Sequence, residues 1–137
     1  PEPATLKVIE EFKSTHSIVH IKREDQKKYP DTLHALDGFR SIAILLQLAD
    51  KRLLIDSFAQ HLAASFQLPS TVCWITTKPE IFGYGMHTNI QANDFTLKVD
   101  FPNNLYQPFG LSQDITSCPY QKLEDIFNVD KIIKSLK

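Results

Sequence analysis

This sequence predicts an α/β fold with a mainly parallel sheet covered on both faces. Three observations predict it. Helical and strand-like patterns alternate along the first half of the chain. The strand-like runs Leu53-Leu54-Ile55 and Thr71-Val72-Cys73-Trp74-Ile75 are nearly continuous in apolar residues, as parallel strands buried on both faces are. Turn residues, Pro69 the clearest, separate one run from the next.

Pro3 to Phe12 reads as a helix, because Leu6, Val8, Ile9 and Phe12 fall on one face and Lys7, Glu10 and Glu11 largely on the other. Ser17 to Lys22 reads as a strand rich in β-branched residues. Charged residues and Tyr29-Pro30-Asp31 make a loop, and Leu33 to Leu36 a short strand. Asp37 is a suitable N-cap for the next helix. That helix carries Phe39, Ile42, Ala43, Ile44, Leu45, Leu46, Leu48 and Ala49, apolar over most of its circumference, so it should be packed on more than one side. Arg52 to Ile55 is the next strand, read as buried. Phe58 to Phe66 is the next helix, and Thr71 to Ile75 the strand after Pro69. Right-handed crossovers assemble this order as a Rossmann-like three-layer sandwich. From Thr76 to Tyr120, Pro79, Gly83, Gly85, Pro102, Pro108 and Pro119 punctuate the chain, and only Phe95 to Val99 alternates like a strand. Asn128 caps a final helix with Ile132, Ile133 and Leu136 inward.

The 137 residues suit one domain, with no repeat, low-complexity stretch or linker to split it. The formal net charge is −1 and no dense basic cluster exists. Lys22-Arg23 and Lys27-Lys28 are interrupted by Glu24 and Asp25, which reads as a solvated loop rather than a nucleic-acid surface. Two cysteines, Cys73 and Cys118, fit a reducing compartment and free thiols better than a disulfide framework. No signal peptide or membrane-spanning stretch is visible. Pro1 in place of Met marks a processed chain or an excised segment, and an excised segment is the expectation.

Function concentrates at Ile55-Asp56-Ser57-Phe58-Ala59-Gln60-His61. A strand stops at a carboxylate and a hydroxyl, and a helix starts at once. In open α/β sheets ligands bind at this carboxyl edge. The first N–H groups of a helix lack partners and sit at its positive end, so they favour anions. Ser57 and Gln60 have capping-box spacing. Ser57 is therefore either a cap alone or a cap that leaves the Phe58 and Ala59 amides for a phosphate oxygen. Asp56 either accepts hydroxyls of a sugar or holds the turn. His61 projects from the same helix face as Ser57. Its two readings are a neutral hydrogen-bonding imidazole and a packing residue. His16 and His20 lack nearby ligands in register, and no metal site is expected. His34 and His87 stand isolated. Cys73, in an apolar strand, reads as an inert thiol, and Cys118 before Pro119 as a loop thiol without an activator. Phe82-Gly83-Tyr84-Gly85 either lines a pocket or makes a plain turn. No P-loop, G-x-G-x-x-G or G-x-S-x-G is present.

The string Ile55-Asp56-Ser57-Phe58-Ala59-Gln60-His61-Leu62-Ala63-Ala64, followed by Leu68-Pro69-Ser70-Thr71-Val72 and Lys78-Pro79-Glu80-Ile81-Phe82-Gly83-Tyr84, resembles the carboxyl-terminal half of family 9 glycosyltransferases. These are the heptosyltransferase-like enzymes of bacterial lipopolysaccharide assembly. The resemblance runs over roughly residues 17 to 90. It implies one half of a GT-B fold, binding a nucleotide-diphosphate sugar, most often an ADP-sugar, without a metal or other cofactor. It also implies a cytoplasmic enzyme, peripheral at the inner membrane, whose other domain holds the saccharide or lipid-saccharide acceptor. By the resemblance Asp56 lies near the donor sugar, Ser57, Phe58 and Ala59 form the turn at the diphosphate, and His61 supports that turn. Glu24 matches an acid that contacts the ribose.

The chain departs from the family in three ways. Phe58 stands where many members have glycine. No counterpart precedes Pro3 for the first strand of the donor domain and its basic residue. The acceptor domain, with the usual general base, is absent, so the chain alone is expected not to turn over substrate. The competing expectation is a degenerate, non-catalytic domain kept for structure or protein contacts.

Overall fold

The computed structural model describes residues 2–36, 38–75, 77–93 and 122–137. The expected cap at Asp37, the strand at Phe95–Val99, the Pro102, Pro108 and Pro119 turns and the Cys118 thiol lie outside the described residues.

The elements run α1 (Glu2–Phe12), β1 (Val19–Lys22), β2 (Leu33–Leu36), α2 (Phe39–Leu48), β3 (Leu53–Ile55), α3 (Phe58–Ser65), β4 (Thr71–Trp74), α4 (Pro79–Phe82), β5 (Thr88–Gln91), a 3-10 turn (Leu123–Asp125) and α5 (Val129–Leu136). The fold is α/β and every strand pair is parallel, as the apolar runs predict. Two elements were hidden from the pattern. α4 is four residues long with Pro79 in its first turn, and β5 carries one buried apolar residue, Ile90.

Among the described residues the strands form two sheets, β1–β2 and β3–β4–β5. In the first, Val19 pairs with Leu33 and His20 with His34. In the second, Leu54 pairs with Val72 and Cys73 with Ile90. β4 is buried at every position and is the spine of the larger sheet. Its side chains alternate between two faces. Cys73 joins a core with Ala4 and Val8 of α1, Ile90 of β5 and Ile132 and Leu136 of α5, and Thr71 Oγ1 lies 2.9 Å from Ser135 Oγ. Val72 and Trp74, both fully buried, belong to the opposite face with Ala63 of α3.

α5 forms as its sequence predicts. Asn128 Oδ1 accepts the Lys131 N–H at 3.1 Å, and Ile132 and Leu136 are buried with Ile133 partly so. α3 ends where Gln67 takes a left-handed conformation (φ 56°). There Gln67 N–H donates to Ala64 O and Leu68 N–H to Ala63 O, both at 2.9 Å, which is the Schellman arrangement.

Two packing expectations fail. β3 is not a buried strand: Leu53 and Ile55 are exposed, because β3 has one neighbour, β4. α2 is not packed all round: only Leu46 is buried, while Phe39, Ile44 and Leu48 are exposed. Among the described residues no helix is long and apolar enough to cross a membrane.

Candidate functional site

β3 delivers Asp56 and Ser57 to the carboxyl edge of the larger sheet. The Asp56 N–H continues the ladder one step, donating to Cys73 O at 3.3 Å. Its carboxylate accepts a short hydrogen bond from the Thr77 hydroxyl. Gln91, at the end of β5, donates from Nε2 to the carbonyls of Trp74 (3.4 Å), Ile75 (3.3 Å) and Thr77 (3.4 Å). Asp56 and Gln91 thus grip the β4–α4 loop from both sides. One oxygen of the Asp56 carboxylate is engaged with the β4–α4 loop. Sequence reasoning missed Thr77, because a lone Thr far along the chain carries no local signal.

Ser57 is extended and caps α3, its Oγ accepting the Ala59 N–H at 3.3 Å. Its carbonyl accepts the Gln60 N–H at 3.1 Å. The capping box stays half formed. Gln60 turns inward instead, fully buried, and donates from Nε2 to Phe82 O at 3.2 Å. The Ala59 amide, read from sequence as free for phosphate, is therefore taken. Among the described residues the Phe58 N–H is the first-turn donor left without a partner.

His61 is exposed, and its Nδ1 lies 3.0 Å from the Tyr84 hydroxyl. Tyr84 sits edge-on to His61 and to the buried His87, with ring centroids 5.6 and 5.8 Å away. His87 donates from Nε2 to Gln60 O at 3.2 Å. His61 and His87 therefore clamp α3 to the segment after α4, and His87 is not isolated. Gly83 makes the turn that brings Tyr84 there. Its N–H donates to Pro79 O at 2.8 Å, and an added Cβ would meet that oxygen at 2.6 Å, so no larger residue fits. Phe82 and Tyr84 remain exposed on either side of this turn.

Phe58 opens α3. Its ring leans on Phe39, with centroids 4.9 Å apart and planes at 36°. Both rings are well exposed, Phe39 at 68% and Phe58 at 44%. Each is the first residue of its helix, so the positive ends of α2 and α3 meet at this pair. The α2 start has Gly38 as N-cap with no side-chain hydrogen bond, and exposed Arg40 follows Phe39. Nothing in the sequence flagged Phe39 beyond its place in an apolar helix.

Glu24 does not join this group. It lies exposed in the loop after β1, and no hydrogen bond or ion pair links it to Asp56–His61 among the described residues. Its carbonyl accepts from the buried Lys22, whose ammonium also donates to Arg23 O at 2.6 Å. Two cavities of about 360 and 330 Å³ lie elsewhere, one between the ends of α1 and α5, one along the amino edge of β3, β4 and β5. Neither is lined by Asp56, Ser57, Phe58 or His61.

The parallel register also brings His34, isolated in sequence, beside His20, with ring centroids 6.3 Å apart. Burial, then His34 and Lys22, hold the His20 imidazole below its ordinary value. Burial pushes the Cys73 thiol up to about 12, so it is inert, as its strand position predicts. Among the described residues no three His, Cys, Asp or Glu side chains converge as a metal centre requires.

Comparison with family models, with curated proteins and with solved structures finds no match to this chain.

Proposed function

We propose that this chain is the nucleotide-sugar-binding half of a GT-B glycosyltransferase that moves a heptose-like sugar onto a saccharide acceptor. The observation that supports it best is the meeting of two helix N-termini at Phe39 and Phe58. The free Phe58 amide, the start of α2 at Gly38 and Arg40 together offer a diphosphate positive ends and N–H donors. The exposed aromatic faces offer a platform for the base or sugar ring. In transfer, such donors stabilise charge as it builds on the departing diphosphate. Ser57 shapes the α3 start, Asp56 fixes the neighbouring loop, and the His61–Tyr84 clamp holds both in place. On this reading Glu24 contributes nothing to the phosphate site. The acceptor and general base come from a separate domain, and the isolated chain does not turn over.

The test is an NMR titration of the chain with ADP-glucose and UDP-glucose. Binding with a Kd of about 1 mM, shifting the Gly38, Phe39 and Phe58 amides, is the expected result. No shift at tenfold higher ligand, in a folded sample, overturns the proposal.

One observation favours the second reading, a non-catalytic module. The Ala59 and Gln60 amides and the Asp56 carboxylate are all used internally. The Phe58→Gly variant separates the two. If it binds a nucleotide sugar that the parent chain does not, Phe58 has closed an ancestral site, and the module reading holds.

A further inference from the structure

The smaller sheet sets two imidazoles side by side. His20 of β1 and His34 of β2 are direct partners in a parallel register, so both side chains leave the same face. Their ring centroids lie 6.3 Å apart with the planes at 74°. Two imidazoles that share one metal ion, at about 2.1 Å per nitrogen, have centroids about 5.3 Å apart at the tetrahedral angle and at most about 6.5 Å apart in line. The pair stands within reach of one ion, and a small rotation of the exposed His34 ring closes the remaining distance.

Proton positions leave a lone pair on each ring. Thr32 Oγ1 donates its proton to Tyr29 O at 2.9 Å. It therefore accepts from His34 Nε2 at 3.0 Å, and Tyr29 O, 3.3 Å from the same nitrogen, is an acceptor too. His34 Nε2 is thus the protonated nitrogen, and the lone pair sits on Nδ1. Histidines that ligate metals are oriented in this way, by an acceptor on the second ring nitrogen. His20 Nδ1 is buried and has no hydrogen-bond partner. A buried polar atom left unpaired is costly, and a bound ion would remove that cost. Burial, then His34 and Lys22, hold the His20 imidazole below its ordinary value, so at neutral pH the ring is uncharged and keeps its lone pair.

We propose that His20 Nδ1 and His34 Nδ1 form a two-histidine site for an exchangeable divalent transition-metal ion, with water completing its coordination. Imidazole suits Zn²⁺, Ni²⁺ and Cu²⁺ rather than Mg²⁺ or Ca²⁺. Two side chains fall short of the three or four that hold a resident metal. Lys22, two residues beyond His20, adds opposing charge, although the carbonyls of Arg23 (2.6 Å) and Glu24 (3.3 Å) hold its ammonium. The ion therefore binds weakly, and its effect is to lock β1 to β2 while it is present. The site lies on the smaller sheet, goes beyond the sugar-donor reading and does not depend on it.

The experiment is a Zn²⁺ titration of the 137-residue chain followed by NMR. The His20 and His34 ring signals are expected to shift together, with one midpoint, before those of His16 and His61. Mg²⁺ should move neither. At about ten times the Kd, amide exchange at Ile21 and Ala35 should slow about tenfold, while Val72 and Cys73 hold steady. His20→Gln, His34→Gln and the double variant should bind equally weakly, at least about tenfold below the parent, because a chelate is lost with either half. Thr32→Val, which removes the acceptor of the His34 Nε2 proton, should weaken binding by about tenfold. His34 is exposed, so His34→Gln keeps the test valid if His20→Gln fails to fold. Zn²⁺ affinity at His20 that survives His34→Gln overturns the proposal. So do no ring shift at millimolar Zn²⁺, midpoints no lower than that of His16, and ring shifts without slower exchange.

Discussion

β4 is buried at all four positions, with Val72 and Trp74 fully enclosed. β2 leaves Leu33 63% exposed and His34 open to solvent. Both strands belong to parallel pairs of four residues at most, but among the described residues β4 is paired on both edges and β2 on one. Cover separates them further. β4 has α3 on one side and the α1–α5 core on the other, whereas the β1–β2 connection is fastened to α1 by exposed ion pairs, each worth about 0–1 kcal/mol. The comparison teaches that strand pairing sets direction and register here, while stability comes from the helices that close each face. The candidate site sits on the boundary, where the well-covered sheet ends and β3 is left open.

The largest contrast is in access to core groups. Thiol reagents attack the thiolate, and burial holds the Cys73 thiol up at about 12. Labelling of Cys73 at pH 8 is expected to be about 10³-fold or more slower in the native chain than in denaturant. Mass spectrometry of the Cys73 peptide checks this, and fast native labelling would mean that the larger sheet opens as readily as the smaller. Next comes packing. Trp74→Ala is expected to cost about 3–5 kcal/mol, while Leu33→Ala costs under about 0.5 kcal/mol. Urea midpoints at constant m-value measure both, and equal losses would erase the distinction between the sheets.

The same contrast explains what could be read from sequence. The β3–α3–β4 unit was legible because apolar runs, a Ser cap and Pro69 all agree there. So was α5, from Asn128 and the inward trio. What failed was burial, which depends on neighbours. Leu53 and Ile55 look like core residues until one learns that β3 has one strand beside it. α2 looks doubly packed until its second face is found open. At the site, Asp56, Ser57, Phe58 and His61 are near neighbours in sequence, and each side chain takes a different partner. Of their partners, Tyr84 lay in a segment already marked as a pocket lining or a turn, while Thr77 and Phe39 did not announce themselves, because contacts across a fold leave no spacing to find. Glu24 was assigned to the site by resemblance alone, and among the described residues no hydrogen bond or ion pair links it to the turn.

A smaller effect is expected at the boundary itself. Ser57→Ala removes the acceptor of the Ala59 N–H and should cost about 1 kcal/mol. It also frees that amide, giving the α3 mouth a second open donor beside Phe58. If the mouth binds anions, the variant should therefore lose stability and yet hold nucleotide sugar no more weakly than the parent. Thermal melts and the same NMR titration read the two effects separately. Weaker binding in a folded variant would mean that the Ser57 hydroxyl itself contacts ligand.

The smallest effect is a pH dependence confined to the smaller sheet. His20 stands beside His34 in register, its ring 4.9 Å from Tyr29, with Lys22 two residues on. Burial first, then His34 and Lys22, hold its folded value below the ordinary 6.5. The folded sheet thus resists a proton that the opened sheet accepts. Stability from this source is complete above the unfolded value, 6.5, and is lost as pH falls through the lower folded value. Amide exchange at Ile21 and Ala35, corrected for intrinsic rates, should show β1–β2 opening more readily from about pH 6.5 downward, while amides of Val72 and Cys73 hold steady. His20→Gln, which cannot titrate, should flatten the dependence. A pH response shared equally by both sheets would show that they open together, and that the α1 ion pairs bind the small sheet more tightly than their exposure implies.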